Sequence, residues 1–190
     1  MQLQIESTHL SGSLIVLSHE TFRDDRGFFM EAYRADQFRD IGLPTGFVQD
    51  NHSGSVKGVL RGLHFQWDRP MGKLMRVTRG AAYLVAVDIR HRSPTLGRWV
   101  GFEVSDTSRK QIWAPAGIAR GFCVLSEYAE IQYKCTEIYN TSGESGILWS
   151  DPAIGIEWPV ADPILSKKDQ HAQTLAEWLA SPASKTFTYP

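Results

Sequence analysis

The sequence predicts an all-β protein, a sandwich or a jelly-roll barrel with short flanking helices. Apolar and β-branched residues recur in short segments, and glycine or proline separates most segments from the next. Regular short strands with such breaks are typical of these architectures. The predicted strands cover residues 14–17, 58–66, 74–78, 81–89, 99–104, 111–113, 121–125 and 131–139.

Helical periodicity is confined to two places, around residues 35–39 and over 171–179. In the second, Leu175, Trp178 and Leu179 recur at helical spacing, which suits a helix that packs on a sheet. Because the 190 residues contain no repeat or linker, one domain is expected over 1–190. Residues from about 165 to 190 are expected to form a C-terminal helical extension packed on it.

Composition excludes several classes of partner. A hydrophobic content of 42% is that of a globular protein, and the net charge of −1 offers no basic field for nucleic acid. No stretch approaches the roughly 20 apolar residues of a membrane span. The N-terminus lacks the pattern of a secretory signal, and Cys123 and Cys135 are too few for a disulfide framework. These features predict a cytoplasmic protein with no nucleic-acid or membrane partner.

The segment 58–66 (GVLRGLHFQ) carries the strongest functional signal. Its period of two assigns Arg61, Leu63 and Phe65 to one face of a strand, and His64 with Gln66 to the other. Polar residues within an otherwise apolar sheet indicate a lined cavity. The alternative is a surface strand with a solvated histidine.

A metal site is not predicted around His64. Such a site needs three or four convergent ligands, and no H-x-H or H-x-x-x-H pair exists in the sequence. An imidazole titrates near neutral pH, so His64 can act as a base. Lys73 could stabilise an anion. A tyrosine placed like Tyr133 is more often a core residue than a catalytic acid, and Asp169 alone is by default a solvated loop or helix-cap residue.

Taken together, the motifs resemble those of the dTDP-4-dehydrorhamnose 3,5-epimerase family. The resemblance runs from about residue 13 to about residue 170. It is most specific in FVQDNHS (47–53) and VLRGLHFQ (59–66). It continues in FRDDRGFFME (22–31), GKL (72–74), VDIR (87–90), SPT (93–95), PAGIARGFCVL (115–125), YK (133–134) and LSKKD (165–169). The resemblance implies a cupin-type jelly roll that is a homodimer and uses no cofactor and no metal.

By position, the resemblance implies a catalytic role for four residues. His64 is the general base, Asp169 orients and polarises it, Tyr133 is the general acid on the opposite face of the sugar, and Lys73 is the cation beside the C4 oxygen. The family's substrate-binding positions fall on Arg26 and Arg61 for the pyrophosphate, Tyr139 for stacking on thymine, and Glu31, Gln49, Asn51, Glu144 and Lys168 for other contacts. From the residues alone, Arg26 could equally be a surface charge, and Tyr139 a strand-end aromatic.

One position departs from the family. Arg120 stands where the family normally has a histidine in the substrate pocket. Its longer, permanently charged side chain is expected to reach a pyrophosphate or sugar oxygen. The implied reaction inverts C3 and C5 of dTDP-4-dehydro-6-deoxy-D-glucose to give dTDP-4-dehydro-L-rhamnose. Two alternatives remain: an epimerase for another nucleotide 4-keto sugar or for only one carbon, and a non-catalytic carbohydrate-binding cupin.

Overall fold

A computed structural model describes residues 2–189 of the chain. The strands are β1 Leu3–His9, β2 Leu14–His19, β3 Phe22–Asp24, β4 Gly27–Phe29, β5 Gln49–Val56, β6 Leu60–Gln66, β7 Lys73–Arg79, β8 Ala81–Asp88, β9 Trp99–Ser105, β10 Gln111–Ala114, β11 Ile118–Val124, β12 Tyr128–Cys135 and β13 Glu144–Gly146. The helices are α1 Ala35–Asp40, α2 Lys167–Gln170 and α3 Leu175–Ala180, followed by a 3₁₀ helix over Pro182–Thr186.

Most of the strands form two facing antiparallel sheets. The six-stranded sheet has the order β1-β2-β10-β7-β12-β5, and the five-stranded sheet the order β13-β6-β11-β8-β9. Strands β3 and β4 form a separate two-stranded hairpin. Strands adjacent in a sheet are often distant in sequence, as in a jelly roll, so residues far apart along the chain meet between the sheets.

The main core lies between the inner faces of the sheets. Val77, Ile112 and Ile131 from the six-stranded sheet are buried together with Leu84 and Val104 from the five-stranded sheet. Such interdigitated inner faces are what holds a sandwich together. Where polar residues replace these apolar ones, the space between the sheets opens into a cavity.

The C-terminal segment covers the outer face of the five-stranded sheet. Trp178 of α3 is buried against Phe65 of β6, with ring centroids 4.6 Å apart, and Phe187 joins the same cluster. Removing an indole from such a site costs about 3–5 kcal/mol. This contact anchors the chain just after α2, the helix that carries Asp169.

The boundaries of several predicted elements were wrong. The helix predicted over 171–179 begins only at Leu175, because Thr174 caps it in a capping box with Glu177. Strand β12 ends at Cys135, so Tyr139 lies in the following loop. Strand β5 (QDNHSGSV) was not predicted, because as a sheet edge it is mostly polar. The sequence also failed to predict β1, the β3–β4 hairpin, β13 and α2.

No helix within residues 2–189 is both long enough and apolar enough to cross a bilayer.

Candidate active site

A cavity of about 220 Å³ opens between the two sheets, with walls from β5, β6, β7, β11, β12 and β13. Its polar lining includes six residues predicted from the sequence: Arg61, His64, Lys73, Arg120, Tyr133 and Glu144. A concave, partly apolar cavity with convergent polar groups is the usual form of a small-molecule site. The candidate active site is therefore this cavity.

Arg61 and His64 both line the cavity, so the prediction that they face opposite sides of the strand was wrong. On β11, Arg120 lies opposite His64 and Phe122 opposite Arg61, which leaves one extra residue on β6. This bulge shifts the alternation of side chains. Gly62 permits it, since a Cβ there would lie 2.5 Å from the Cα of Gly121. A glycine inside a predicted strand is the sequence signal for such a bulge.

His64 is held by Asp169. The His64 Nε2 and Asp169 Oδ1 atoms lie 2.6 Å apart, although 105 residues separate them in the chain. Burial raises the pKa of the Asp169 carboxyl, but hydrogen bonds from His64 and Ser166 outweigh it and keep that pKa below its usual value. An ionised carboxylate only accepts, so Nε2 of His64 donates the proton. The lone pair of the neutral ring is then on Nδ1, as a general base requires.

Ser166 fixes Asp169 in turn. As the N-cap of α2, its Oγ accepts from the Asp169 backbone N–H at 3.1 Å and donates to Asp169 Oδ2 at 2.9 Å. The sequence reasoning did not single out Ser166, although the S-x-x-D spacing of a capping motif marks it. Asp169 and Ser166 together therefore fix the position of the His64 ring.

Tyr133 projects into the cavity from the other sheet. It belongs to β12 in the six-stranded sheet, whereas His64 belongs to β6 in the five-stranded sheet. Burial raises the pKa of the Tyr133 phenol, and the Asn51 side chain offsets this only in part. The phenol is therefore protonated at neutral pH and able to donate. The His64 imidazole and the Tyr133 phenol thus lie on facing walls of one cavity.

Lys73 lies on the same wall as Tyr133, with its Nζ 4.7 Å from the centre of the Tyr133 ring. Burial, and then the charge of Arg120, lower the pKa of Lys73 to about 8. The ammonium is mostly charged at pH 7. Positive charge therefore faces the centre of the cavity, where a negatively charged oxygen of a ligand would be stabilised.

Most of the other residues predicted to bind substrate are linked by hydrogen bonds at the rim of the cavity. Tyr139 donates from its hydroxyl to Glu144 Oε2 at 2.5 Å, and the Lys168 Nζ lies 2.6 Å from the same oxygen. Gln49 accepts from the Tyr139 backbone N–H and donates to Asn51 Oδ1. The Tyr139 ring is half exposed, so one of its faces is available for stacking.

Arg26 and Glu31 are not brought to the cavity within one chain. The Arg26 side chain is 89% exposed at the tip of the β3–β4 hairpin, where it pairs with Asp24. Glu31 pairs with Arg34. The hairpin residues Phe28 and Phe29 border a depression shared with Arg76 and Thr78. These two β7 residues alternate with the cavity-lining Lys73 and Met75, so the hairpin lies on the outer side of that sheet.

The sequence reasoning missed some of the lining. Ser53 lies on the same face of β5 as Gln49 and Asn51, and this spacing of two residues could have predicted that it lines the cavity. Met75, Phe122 and Ile131 are apolar, and their pattern does not differ from that of the core. Within residues 2–189, no three His, Cys, Asp or Glu side chains are grouped as metal ligands.

The chain is similar to known proteins along most of its length. A family model described as dTDP-4-dehydrorhamnose 3,5-epimerase matches residues 7–177. The chain belongs to this family. A family member of that name from Methanothermobacter thermautotrophicus is 49% identical over 173 residues, which cover 90% of this chain and 93% of the relative. As a family member the chain is an epimerase, which confirms the predicted enzyme class.

Solved structures confirm the predicted fold class, an all-β cupin-type jelly roll. The dTDP-6-deoxy-D-glucose-3,5-epimerase of Legionella pneumophila, solved with dTDP-4-keto-L-rhamnose, is 40% identical and superposes with a TM-score of 0.92 over 100% of this chain and 99% of its own. The family also has single-carbon relatives. A dTDP-4-dehydrorhamnose 3-epimerase from Streptomyces niveus is 42% identical over 164 residues, which cover 85% of this chain and 79% of the relative.

Proposed function

We propose that the chain inverts C3 and C5 of dTDP-4-dehydro-6-deoxy-D-glucose to give dTDP-4-dehydro-L-rhamnose. The observation that carries the proposal is the pair of facing walls, with the His64–Asp169 dyad on one and Tyr133 with Lys73 on the other. Relatives at about half identity carry the name of this activity, and the Legionella structure holds dTDP-4-keto-L-rhamnose.

The ketone at C4 acidifies the C–H bonds at both C3 and C5. His64 removes one of these protons, the C–H electron pair becomes the π bond of an enolate, and the carbonyl electron pair moves onto O4. The Lys73 ammonium stabilises the charge on that oxygen. Asp169 holds the imidazole and stabilises its protonated form, as a carboxylate does in a His–Asp pair.

Tyr133 then gives its phenolic proton to the carbon from the opposite face, and the C4 carbonyl re-forms. The centre is inverted because the proton leaves toward one sheet and returns from the other. Proton exchange with solvent restores His64 and Tyr133. The same groups serve the second carbon after the sugar shifts within the cavity.

The nucleotide end of the substrate is assigned to the exposed part of the site. Arg61 is exposed, and its Nε donates to Ser55 Oγ, which leaves other guanidinium donors for pyrophosphate oxygens. The rim residues Tyr139, Glu144, Lys168, Gln49 and Asn51 are assigned to the base and sugar. Binding energy from this distant part holds the hexose in place for both inversions.

A homodimer explains why Arg26 and Glu31 lie away from the cavity of their own chain. The hairpin that carries Arg26 exposes Phe22, Phe28 and Phe29 by 51%, 56% and 62%. Exposed aromatics on one small element indicate an interface. In the proposed dimer, the hairpin of one chain contacts the partner and brings Arg26 and Glu31 to the mouth of its cavity.

The reaction is redox-neutral and is proposed to need no cofactor and no metal. The base, the acid and the positive charge are all side chains of this protein. Cys123 and Cys135 are both free and buried, which suits the reducing cytoplasm that we propose as its location.

A second candidate function is epimerisation at a single carbon of a related nucleotide sugar. Two observations favour it: the S. niveus relative is named a 3-epimerase, and the charged Arg120 lies inside the cavity. A non-catalytic carbohydrate-binding cupin is not favoured, because binding alone requires neither a held base nor a facing acid.

The test is incubation of the purified protein with dTDP-4-keto-6-deoxyglucose in the presence of a chelator, with the product identified by NMR coupling constants. We expect the 3,5-inverted sugar. A product inverted at one carbon would support the second candidate. No conversion, or conversion only after a divalent metal is restored, would contradict the proposal.

A further inference from the structure

Arg120 combines near-complete burial with unmet hydrogen-bonding capacity. The residue is 4% exposed, and its Nη2 donates to the Met71 carbonyl oxygen at 2.6 Å. Its Nε and Nη1 have no hydrogen-bond partner among residues 2–189. Because a buried donor without an acceptor carries a free-energy penalty, these two groups are poised for acceptors that a ligand would bring.

The position of Arg120 determines which part of a ligand it meets. On β11 it lies directly opposite His64 on β6, and both side chains line the cavity. Met71, which accepts its third donor, is two residues before Lys73. Arg120 is therefore at the buried end of the cavity, beside the dyad and Lys73, whereas Arg61 is at the exposed mouth.

The buried Arg120 and the half-buried Lys73 are two cations in one cavity, and neither has an ion-pair partner among residues 2–189. No carboxylate of the described chain forms an ion pair with either, and the lining carboxylate Glu144 is paired with Lys168 instead. Burial is the main cause of the lowered pKa of Lys73, and the charge of Arg120 lowers it further. Two like charges buried together are unfavourable in the free protein, and an anion between them relieves the repulsion.

We propose that Arg120 is a catalytic residue whose Nε and Nη1 donate to the hexose oxygens beside the reacting carbons, including the oxygen that becomes negative in the enolate. The inference rests on the proposed function. No bond forms to Arg120: the proton goes to His64, the C–H pair becomes the C=C bond, the carbonyl pair moves to oxygen, and the two cations stabilise it together.

A guanidinium has a specific consequence at this place. Although burial lowers the pKa of Arg120 to about 10, the group is still charged at pH values where Lys73 has lost its proton. The buried end of the cavity therefore retains one cation above pH 8. Removing the Arg120 charge should also raise the pKa of Lys73, because that charge contributes to lowering it.

The experiment compares the wild-type protein with Arg120→Gln, Arg120→Lys and a control, Arg39→Gln, which changes an exposed arginine of α1. Deuterium exchange into dTDP-4-keto-6-deoxyglucose gives kcat as a function of pH, and calorimetry gives the affinity for dTDP alone. Loss of one preorganised donor to a developing oxyanion lowers kcat by about 10²–10³-fold.

We expect that loss for Arg120→Gln, with dTDP affinity unchanged within about twofold and the alkaline limb of the rate profile moved to higher pH. Arg120→Lys, which keeps a charge, should recover part of the rate, and Arg39→Gln should behave as wild type. A folded Arg120→Gln protein with kcat within threefold of wild type, or with dTDP binding weakened as much as kcat, would overturn the inference. Wild-type protein that catalyses no exchange would instead contradict the proposed function, and this inference with it.

Discussion

Two arginines are buried among residues 2–189, and their surroundings differ completely. Arg90, 8% exposed, uses Nε and Nη2 on the Asp88 carboxylate and Nη1 on Ser13 Oγ, and its guanidinium stacks on the Tyr189 ring at 4.9 Å. Arg120, 4% exposed, has one hydrogen bond and two unpartnered nitrogens.

The hydrogen bonds of Arg90 are satisfied within the protein and stabilise the fold, whereas those of Arg120 are left for a ligand. Asp88 also accepts from Ser93 and Thr95, so the SPT motif completes a buried ion pair that is not part of the cavity lining. The cavity, in contrast, holds Lys73 and Arg120, which form no ion pair with a carboxylate among residues 2–189. This division predicts that changes in the cavity lower catalysis, whereas changes at the Arg90–Asp88 pair lower stability.

His64→Asn should lower deuterium exchange at both carbons by about 10⁴-fold, at the upper end of the range for a general base. The reason is that no other histidine lines the cavity within the described chain. The measurement is proton NMR in D2O, with the half-exposed His52→Asn, outside the lining, as control. Exchange within tenfold of wild type in a folded variant would mean that another group is the base.

Arg90→Met should lower the free energy of unfolding by about 3–5 kcal/mol, because it leaves the Asp88 carboxylate buried without its counterion. Urea unfolding measures this. The double variant Arg90→Met with Asp88→Leu should recover much of the loss, since it removes both charges. A change below about 1 kcal/mol in the single variant would show that Arg90 does not stabilise the fold.

Tyr133→Phe should lower productive inversion by about 10²–10³-fold while substrate still binds, because the ring is kept and the proton donor is lost. His64 should still exchange deuterium at the carbon, and the label should return with the original configuration. NMR separates retained from inverted product. Loss of exchange and inversion to the same extent would indicate that Tyr133 also serves proton removal.

The exchange rate should fall as pH rises through about 8, because the pKa of Lys73 lies there and the charged ammonium is the active form. The charged fraction falls from about 90% at pH 7 to about 10% at pH 9, so the rate should drop by up to about tenfold. Lys73→Arg, which does not titrate in this range, should flatten the profile. A wild-type profile flat to pH 9.5 would contradict the role of Lys73.

Arg120→Met should raise the free energy of unfolding of the free protein by about 1 kcal/mol, the opposite sign to Arg90→Met. It removes a buried unpaired charge and two unpartnered donors, and loses only the bond to Met71. Urea unfolding without ligand measures it. Destabilisation comparable to that of Arg90→Met would show that Arg120 also stabilises the fold.

The chemistry of the site could be predicted from sequence better than its geometry. Local motifs marked His64, Lys73 and Tyr133, and all three line the cavity. The bulge at Gly62 was not predicted, because period-two reasoning assumes an uninterrupted strand. Strand β5 was missed because a polar edge strand lacks the apolar alternation on which such reasoning depends.

Properties that depend on residues distant in sequence were the hardest to predict from the sequence. The unpaired state of Arg120 follows from what β6 and β7 place beside it, and no local pattern encodes that. The position of the hairpin outside the cavity of its own chain could not be predicted either. A sequence motif gives the order of residues along the chain, but it does not say against which face of a sheet they pack.

We propose that one base, His64, and one facing acid, Tyr133, act on both carbons next to the ketone. Incubation of the wild-type protein with dTDP-4-keto-6-deoxyglucose in D2O, followed by proton NMR, tests it most directly. We predict that the signals of both H3 and H5 disappear and that inverted product accumulates with deuterium at both positions. Exchange at neither carbon, or inversion with the original protons retained, would contradict it.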